Sequence, residues 1–405
     1  MRISTTMQFT SSLTYIQKAN STVDESAKRY NTGLKFSTAG ENPSGMASKV
    51  KYEGAIAAYD QYSKDGGLAA NTLSEEETSL QSMWSALSSI NTRLIQCVDS
   101  SNDDSSLKAL AAEIAQTRDH LYDLMNTQNT EGEYIFSGAK SDVPTYTLTS
   151  DGHYKCQADG STRSVLVSPS VTVQVSDSGL DIFENCRTAD SMTVTGNPGI
   201  SSAVISSYGD FGDLYEQYYS SALDANNTLT VTVNVTPDGA FSLLDQNGQV
   251  IEQGEVDKSN GTINVKGMEF TLGDANYVGT ISVELDPPNT DNMLNVLTDI
   301  VNKINDPTLS NTEKTAAIAK VQKSVGIAMT QYDSYRGQIG ARQNTITTVL
   351  DSNESLSDIK TESKAKVSEV DAFEAASDLV QSQNQLAVSR QIYSMLSKQS
   401  LFDYI

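Results

Sequence analysis

Apolar residues recur along the first third of this chain at alternating spacings of three and four. Phe9, Leu13, Ile16, Asn20, Val23, Ala27, Tyr30 and Leu34 form the first such run. That spacing places them on one stripe of a helix, the pattern of a seam packed against another helix. Gly33 and Gly40 interrupt it. Asn42-Pro43 then restarts it, because Asn caps helix starts well and Pro is tolerated at the first helical position. Tyr52, Ala55, Tyr59, Tyr62, Gly66, Ala69, Leu73, Glu76, Leu80, Met83, Leu87, Ile90, Leu94 and Cys97 keep the alternation without a slip. At about 1.5 Å per residue, this register is on the order of 65–70 Å long. The polar stretch DSSNDDSS (99–106) ends it. A third helix is predicted with Leu107, Leu110, Ile114, Thr117, Leu121 and Leu124 on its stripe, and EGEYIFSG (131–138) closes the segment.

From about Asp142 to Asp286 the period changes to two. SVLV, VTVQV, TLTVTVNV, GTINVKGMEF and GTISVEL read as strands, with Asp238-Gly239, Asn247-Gly248 and Asn260-Gly261 as hairpin turns between them. Pro287-Pro288 marks a boundary, since neither residue can continue a ladder or a helix interior. Helical spacing then returns with Leu294, Leu297, Val301 and Ile304, and again from Ile318 through Val325, Tyr332, Ile339 and Ile346 to Leu356. After Lys360 the phase shifts, and Val367 and Val370 lead into Ala375, Leu379, Leu386, Tyr393 and Leu396 before SLFDYI (400–405).

The fold class expected is α+β: a long antiparallel helical coiled-coil rod formed by both chain ends, with an inserted, mostly antiparallel β domain. The boundaries read as follows. Residues 1–140 are an N-terminal helical segment, divided into a terminal helix (1–40) and rod helices (42–138). Residues 141–288 are the β domain. Residues 289–405 are a C-terminal helical segment, with rod helices at 289–365 and a terminal helix at 366–405. The outermost pieces have just each other for cover, so their stripes call for other copies of the molecule. The candidate assembly residues are Phe9, Leu13, Ile16, Val23, Ala27, Tyr30 and Leu34 at one end. At the other they are Leu379, Leu386, Tyr393, Leu396, Leu401 and Phe402.

Charge narrows the partners. With 51 acidic against 28 basic residues the chain carries −23, which repels nucleic acid and anionic membrane surfaces. No run approaches the roughly 18 apolar residues of a membrane span. The opening MRISTTMQFTSSLTYIQ lacks the continuous apolar core of a secretory signal, so export, if any, needs no cleaved peptide. Cys97, Cys156 and Cys186 are too few for a disulfide framework. A Cys156–Cys186 bridge is open, three free thiols are the simpler reading, and Cys97, on a core stripe, is expected buried and inert.

Catalytic constellations are scarce. The two histidines, His120 and His153, sit in unlike contexts, and HExxH, CxxC, the Walker loop and GxGxxG are missing. Glu75-Glu76-Glu77 reads as the solvated side of a helix, except that Glu76 falls on the stripe and is expected to pair across a helix interface. The acidic loop Asp99–Asp104 lacks the spacing and the glycine of a calcium loop. Asn20 is either a tolerated polar seam residue or one that fixes register, and Trp84 lies one position off its stripe. No catalytic residue, cofactor or metal is expected, and the chain reads as a non-enzyme.

The end segments resemble the bacterial flagellin superfamily. MRIST, YNTGLKFSTAGENPSGMAS (30–48) and DAFEAASDLVQSQNQLAVSRQIYSMLSKQSLFDYI (371–405) carry the resemblance. MRIST and GEYIFSG look more like its hook–filament junction branch than like filament flagellin, which is the alternative. Asn31, Leu34 and Glu41-Asn42 depart from the family pattern, the last where Asp-Asp is typical. The resemblance implies export through the flagellar type III channel and an export chaperone on the C-terminal helix. It also implies self-assembly in a ring between hook-associated protein 1 and the first flagellins. The terminal hook SLFDYI and the stripe before it would then be exposed and disordered until neighbouring subunits cover them.

Overall fold

A computed structural model describes residues 5–98, 103–195, 199–222, 225–233, 239–274 and 277–402, with the side chains of residues 5, 6, 233 and 396 onward outside that description. The helices fall where period and caps place them. α1 spans Thr5–Thr32, α2 Pro43–Cys97 and α3 Asp104–Met125. Asn42 caps α2 by accepting the Gly45 N–H (2.9 Å), and Asp103 caps α3 by accepting the Ser106 N–H (2.8 Å). After the sheets come α5 (Met293–Asn305), α6 (Asn311–Ser368) and α7 (Ala372–Phe402). Ser310 and Glu313 form a reciprocal capping box at the start of α6: Ser310 N–H to Glu313 Oε2 at 2.8 Å, Glu313 N–H to Ser310 Oγ at 3.3 Å.

Between α3 and α5 lie twelve strands, one α-helix, α4 (Tyr208–Tyr218), and a single π-helical turn at Leu180–Glu184, among the described residues. β1 (Tyr146–Leu148) pairs with β2 (Tyr154–Cys156), and β3 (Ser164–Ser168) with β4 (Val171–Gln174). A five-stranded antiparallel sheet runs in the order β5 (Met192–Thr195), β12 (Gly279–Leu285), β7 (Thr228–Val233), β8 (Ala240–Leu244), β9 (Val250–Glu255). A three-stranded one runs β10 (Thr262–Val265), β11 (Met268–Leu272), β6 (Ile200–Ile205). Alternate residues such as Leu229, Val231, Leu243, Ile263, Phe270, Ile281 and Val283 face one core, closed by Phe211 and Leu214 of α4.

Two turns differ from expectation. Asn260-Gly261 closes only an isolated antiparallel bridge, Asp257 to Thr262, and does not join two strands of one sheet, because β9 pairs with β8 and β10 with β11. Its residues wrap Asp257, which accepts the Ser259 N–H at 2.9 Å, and the chain changes sheets there. The β10–β11 hairpin instead turns on Lys266-Gly267, both at positive φ (47° and 74°). That is the left-handed geometry a two-residue turn requires. Apolar spacing does not announce α4, because Gly209 and Gly212 dilute it.

The chain forms two compact units. One takes Met1–Gly67, Leu166–Val171 and Thr347–Ile405, and the other Leu68–Val165 and Thr172–Ile346. In the second unit the α2 stripe from Leu73 through Leu80, Met83, Leu87 and Ile90 to Leu94 is fully buried, as are Val325, Ala328, Tyr332 and Ile339 of α6. Phe183 packs edge-on against Phe136 (5.1 Å) and Tyr332 (5.5 Å). The GEYIFSG and DIFE segments therefore meet in one aromatic core. Gly138, at φ +71°, lies so close to Asp159 that a Cβ would collide with its backbone carbonyl.

Candidate assembly surface

Within the first unit α1 and α7 pack along each other. Phe9 and Tyr393 meet edge-to-face at 5.8 Å, and Arg390 Nη2 donates to Asn20 Oδ1 at 3.1 Å. That bond gives Asn20 a partner across the pair, as a register-fixing residue would have. Phe9, Ile16, Val23 and Ala27 of α1 and Leu379, Leu386 and Tyr393 of α7 are half-buried here, with Ala375 and Ser382 buried. Leu13 and Tyr30 remain exposed, and Leu34 sits in an isolated bridge to Glu369 beyond the end of α1. The side chains of Leu396, Leu401 and Phe402, and residues 403–405, lie outside the described residues. Against the expectation of disorder, the stretch before SLFDYI is a helix laid on α1. Partial cover by that one partner accounts for its order.

The pair leaves apolar surface open. At 3.6 residues per turn, roughly 100° per residue, Phe373, Val380, Val388 and Met395 fall on the side of α7 opposite its seam with α1. Phe373 is 89% exposed and Met395 62% exposed. A helix that is apolar on two opposite sides is one built to be buried on both. Beside it, a shallow groove of about 430 Å³ between the two helices is lined by Tyr15, Lys18, Ala19, Gln385, Ser389 and Ile392.

The connectors at the base of the pair are tied to each other. Lys35 N–H donates to Ser368 O (2.8 Å), Val370 N–H to Gly33 O (2.9 Å) and Lys35 Nζ to Lys366 O (2.6 Å). Glu41 accepts from Lys28 Nζ (2.6 Å) and from the Ser37 N–H (2.7 Å). The Lys28 bond, with the Ser37 N–H behind it, holds the Glu41 carboxyl down to about 2. Phe36 is buried on Gly45, where a Cβ would lie 2.6 Å from its ring. Glu41-Asn42 thus keeps both the cap and a charged contact despite its departure from Asp-Asp.

Other singled-out residues are structural. All three cysteines are free, and burial pushes the Cys97 thiol up to about 11 and that of Cys186 to about 12. Glu76 is fully buried, but its bond is to the Asp177 backbone in a loop rather than to a facing helix. The loop was invisible to a helical reading because it follows β4 a hundred residues on. Trp84 is half-buried, with its indole N–H unpartnered. Among the described residues no His, Cys, Asp and Glu group could hold a metal, and no helix is long and apolar enough to cross a membrane.

Comparison with known proteins bears out the sequence resemblance. Residues 3–141 match the bacterial flagellin N-terminal helical region. Flagellar hook-associated protein 3 of Salmonella typhimurium is 24% identical over 187 residues, 46% of this chain and 57% of that protein. Its Escherichia coli counterpart is 24% identical over 173 residues, 43% of this chain and 54% of that one. The chain thus spans a little over half the length of the curated relatives it matches. The fold is shared with the flagellar junction protein FlgL of Legionella pneumophila (TM-score 0.58, 20% identity, 79% of this chain and 99% of that one). It is shared too with FlgL of Xanthomonas campestris (TM-score 0.56, 21% identity, 77% and 99%). Terminal helices around an inserted antiparallel β region are thus the fold of this chain.

Proposed function

We propose that this chain, similar in sequence and fold to hook-associated protein 3, is a self-assembling structural subunit of the bacterial flagellum that joins the hook to the filament. The observation that carries this reading is α7, whose apolar side chains lie on two opposite sides while α1 covers only one. Full burial of Phe373, Val380, Val388 and Met395 by neighbouring copies would contribute on the order of 1.5–3 kcal/mol each, before ordering entropy is subtracted. This burial acts against the mutual repulsion of subunits carrying −23 each. The candidate residues on α1 and α7 form the assembly surface, and the terminal and inner helical segments with the β domain between them are the working parts. The partners are hook-associated protein 1 on one side and flagellin on the other. Before delivery, the exposed side of α7 is where an export chaperone binds, on a chain that leaves the cell without a cleaved signal. The role is mechanical rather than catalytic.

A seeded assembly assay tests this reading. Purified protein is added to isolated hooks carrying hook-associated protein 1 and growth is followed by electron microscopy. A short collar that then accepts flagellin is expected. Long filaments of this protein alone would make it a flagellin instead.

A further inference from the structure

Inside the second unit, α2, α6 and the loop following β4 bring two buried carboxyl groups and one largely buried guanidinium together. Arg342 donates from Nη1 to Asp177 Oδ2 (2.7 Å) and from Nη2 to Asp177 Oδ1 (3.0 Å), so its fork is spent on Asp177. Gln174 Nε2 adds a donor to Asp177 Oδ1 at 2.7 Å. Glu76 has no exposed surface, receives only the Asp177 N–H on Oε1 (3.1 Å), and its Oε2 has no partner. Tyr335 of α6 also lies near Asp177 and Arg342, with Asp181 beside it, and neither supplies a positive charge. On α2 itself the neighbours are Glu75, exposed, and Glu77, half-buried. One guanidinium therefore faces two buried carboxyl groups and satisfies only Asp177. An ionised Glu76 would leave a bare anionic oxygen away from water and beside a second anion, which is costly on both counts.

We propose that Glu76 carries its proton at neutral pH, and that this neutral acid lets the 176–178 loop close on α2 and α6, so that alkaline pH loosens the closure. Burial first, and then the Asp177 charge, hold the Glu76 carboxyl well above its ordinary 4.5, against the opposing pull of the Asp177 N–H and Arg342. The sign follows. Above about pH 4.5 the unfolded chain has released this proton and the folded chain has kept it, so stability falls as pH rises toward the folded value. One retained proton lowers the folded-to-unfolded ratio by about tenfold per pH unit across that window.

The test is denaturant unfolding of the full chain and of E76Q, which keeps the shape and cannot ionise, from pH 5 to pH 9. The wild-type ratio should fall relative to that of E76Q by about tenfold per pH unit until Glu76 ionises. Parallel profiles would overturn the proposal. Should E76Q fail to fold, infrared spectroscopy of the wild-type protein decides. A protonated-carboxyl band at pH 7 that fades on alkalinisation upholds it, and no such band at pH 7 overturns it.

Discussion

The two compact units read the same sequence signal to different ends. In the second, the stripe from Leu73 to Leu94 is fully enclosed, as are Val325, Tyr332 and Ile339 of α6 and the aromatic core around Phe183. In the first, the stripes of α1 and α7 keep the same spacing yet stay mostly half-buried, with Leu13 and Tyr30 exposed and Ala375 and Ser382 buried. Heptad spacing reports that a helix has a partner. It does not report how many. A single partner leaves Phe373, Val380 and Met395 open, and the proposed assembly is what would cover them.

The contrast can be broken most forcefully in the enclosed unit. Phe183→Ala opens the centre of a packed aromatic cluster and should cost roughly 3–5 kcal/mol in denaturant unfolding. Leu87→Ala, fully buried, should cost roughly 2–5 kcal/mol. The matching change on the α7 seam, Leu386→Ala, should cost about 1 kcal/mol in the monomer, because a half-buried side chain gives up only part of its transfer energy. Equal losses at Leu87 and Leu386 would erase the distinction between the units. Arg390→Ala removes a bond that Asn20 accepts from α7 and should cost roughly 0.5–1.5 kcal/mol. Its effect should disappear in the Asn20→Ala background, as a double-mutant cycle would record.

The smallest effect concerns the connector. Glu41 has a folded value depressed to about 2 by Lys28 and the Ser37 N–H, so its contribution is present above about pH 4.5 and is lost as pH falls toward 2. Being exposed, it should register as a modest acid-side change in amide exchange near Gly33 and Val370. Glu41→Gln should flatten that change, and an unchanged acid profile in the variant would remove Glu41 from the account.

Much of this architecture was legible in the sequence because long helices repeat one message many times. Asn42-Pro43, the polar break before Asp104 and the Pro287-Pro288 boundary each stand beside an element end in the structure. What escaped was set by single residues or by distant ones. The Lys266-Gly267 hairpin needs a left-handed lysine that no turn preference announces, and Asn260-Gly261 looked like a hairpin although its strands belong to different sheets. Glu76 was marked by its place on the stripe. Its partner, Asp177, lies a hundred residues away in a loop without periodicity. At the assembly surface, spacing found the α1–α7 seam but not the opposite side of α7. Phe373 and Val380 fall outside that stripe, and only the paired geometry shows them uncovered.

The most direct test of the central claim is the reactivity of a thiol placed on that uncovered side. Val380→Cys would be labelled in the purified monomer and again after assembly onto hooks. Cys97 and Cys186 are buried, and Cys156 would be replaced by serine to clear the background. Fast labelling in the monomer and labelling slowed at least about tenfold in the assembly, a shift of about 1.4 kcal/mol in accessibility, is the result predicted. Equal rates in the two states would show that neighbouring subunits do not cover α7 there.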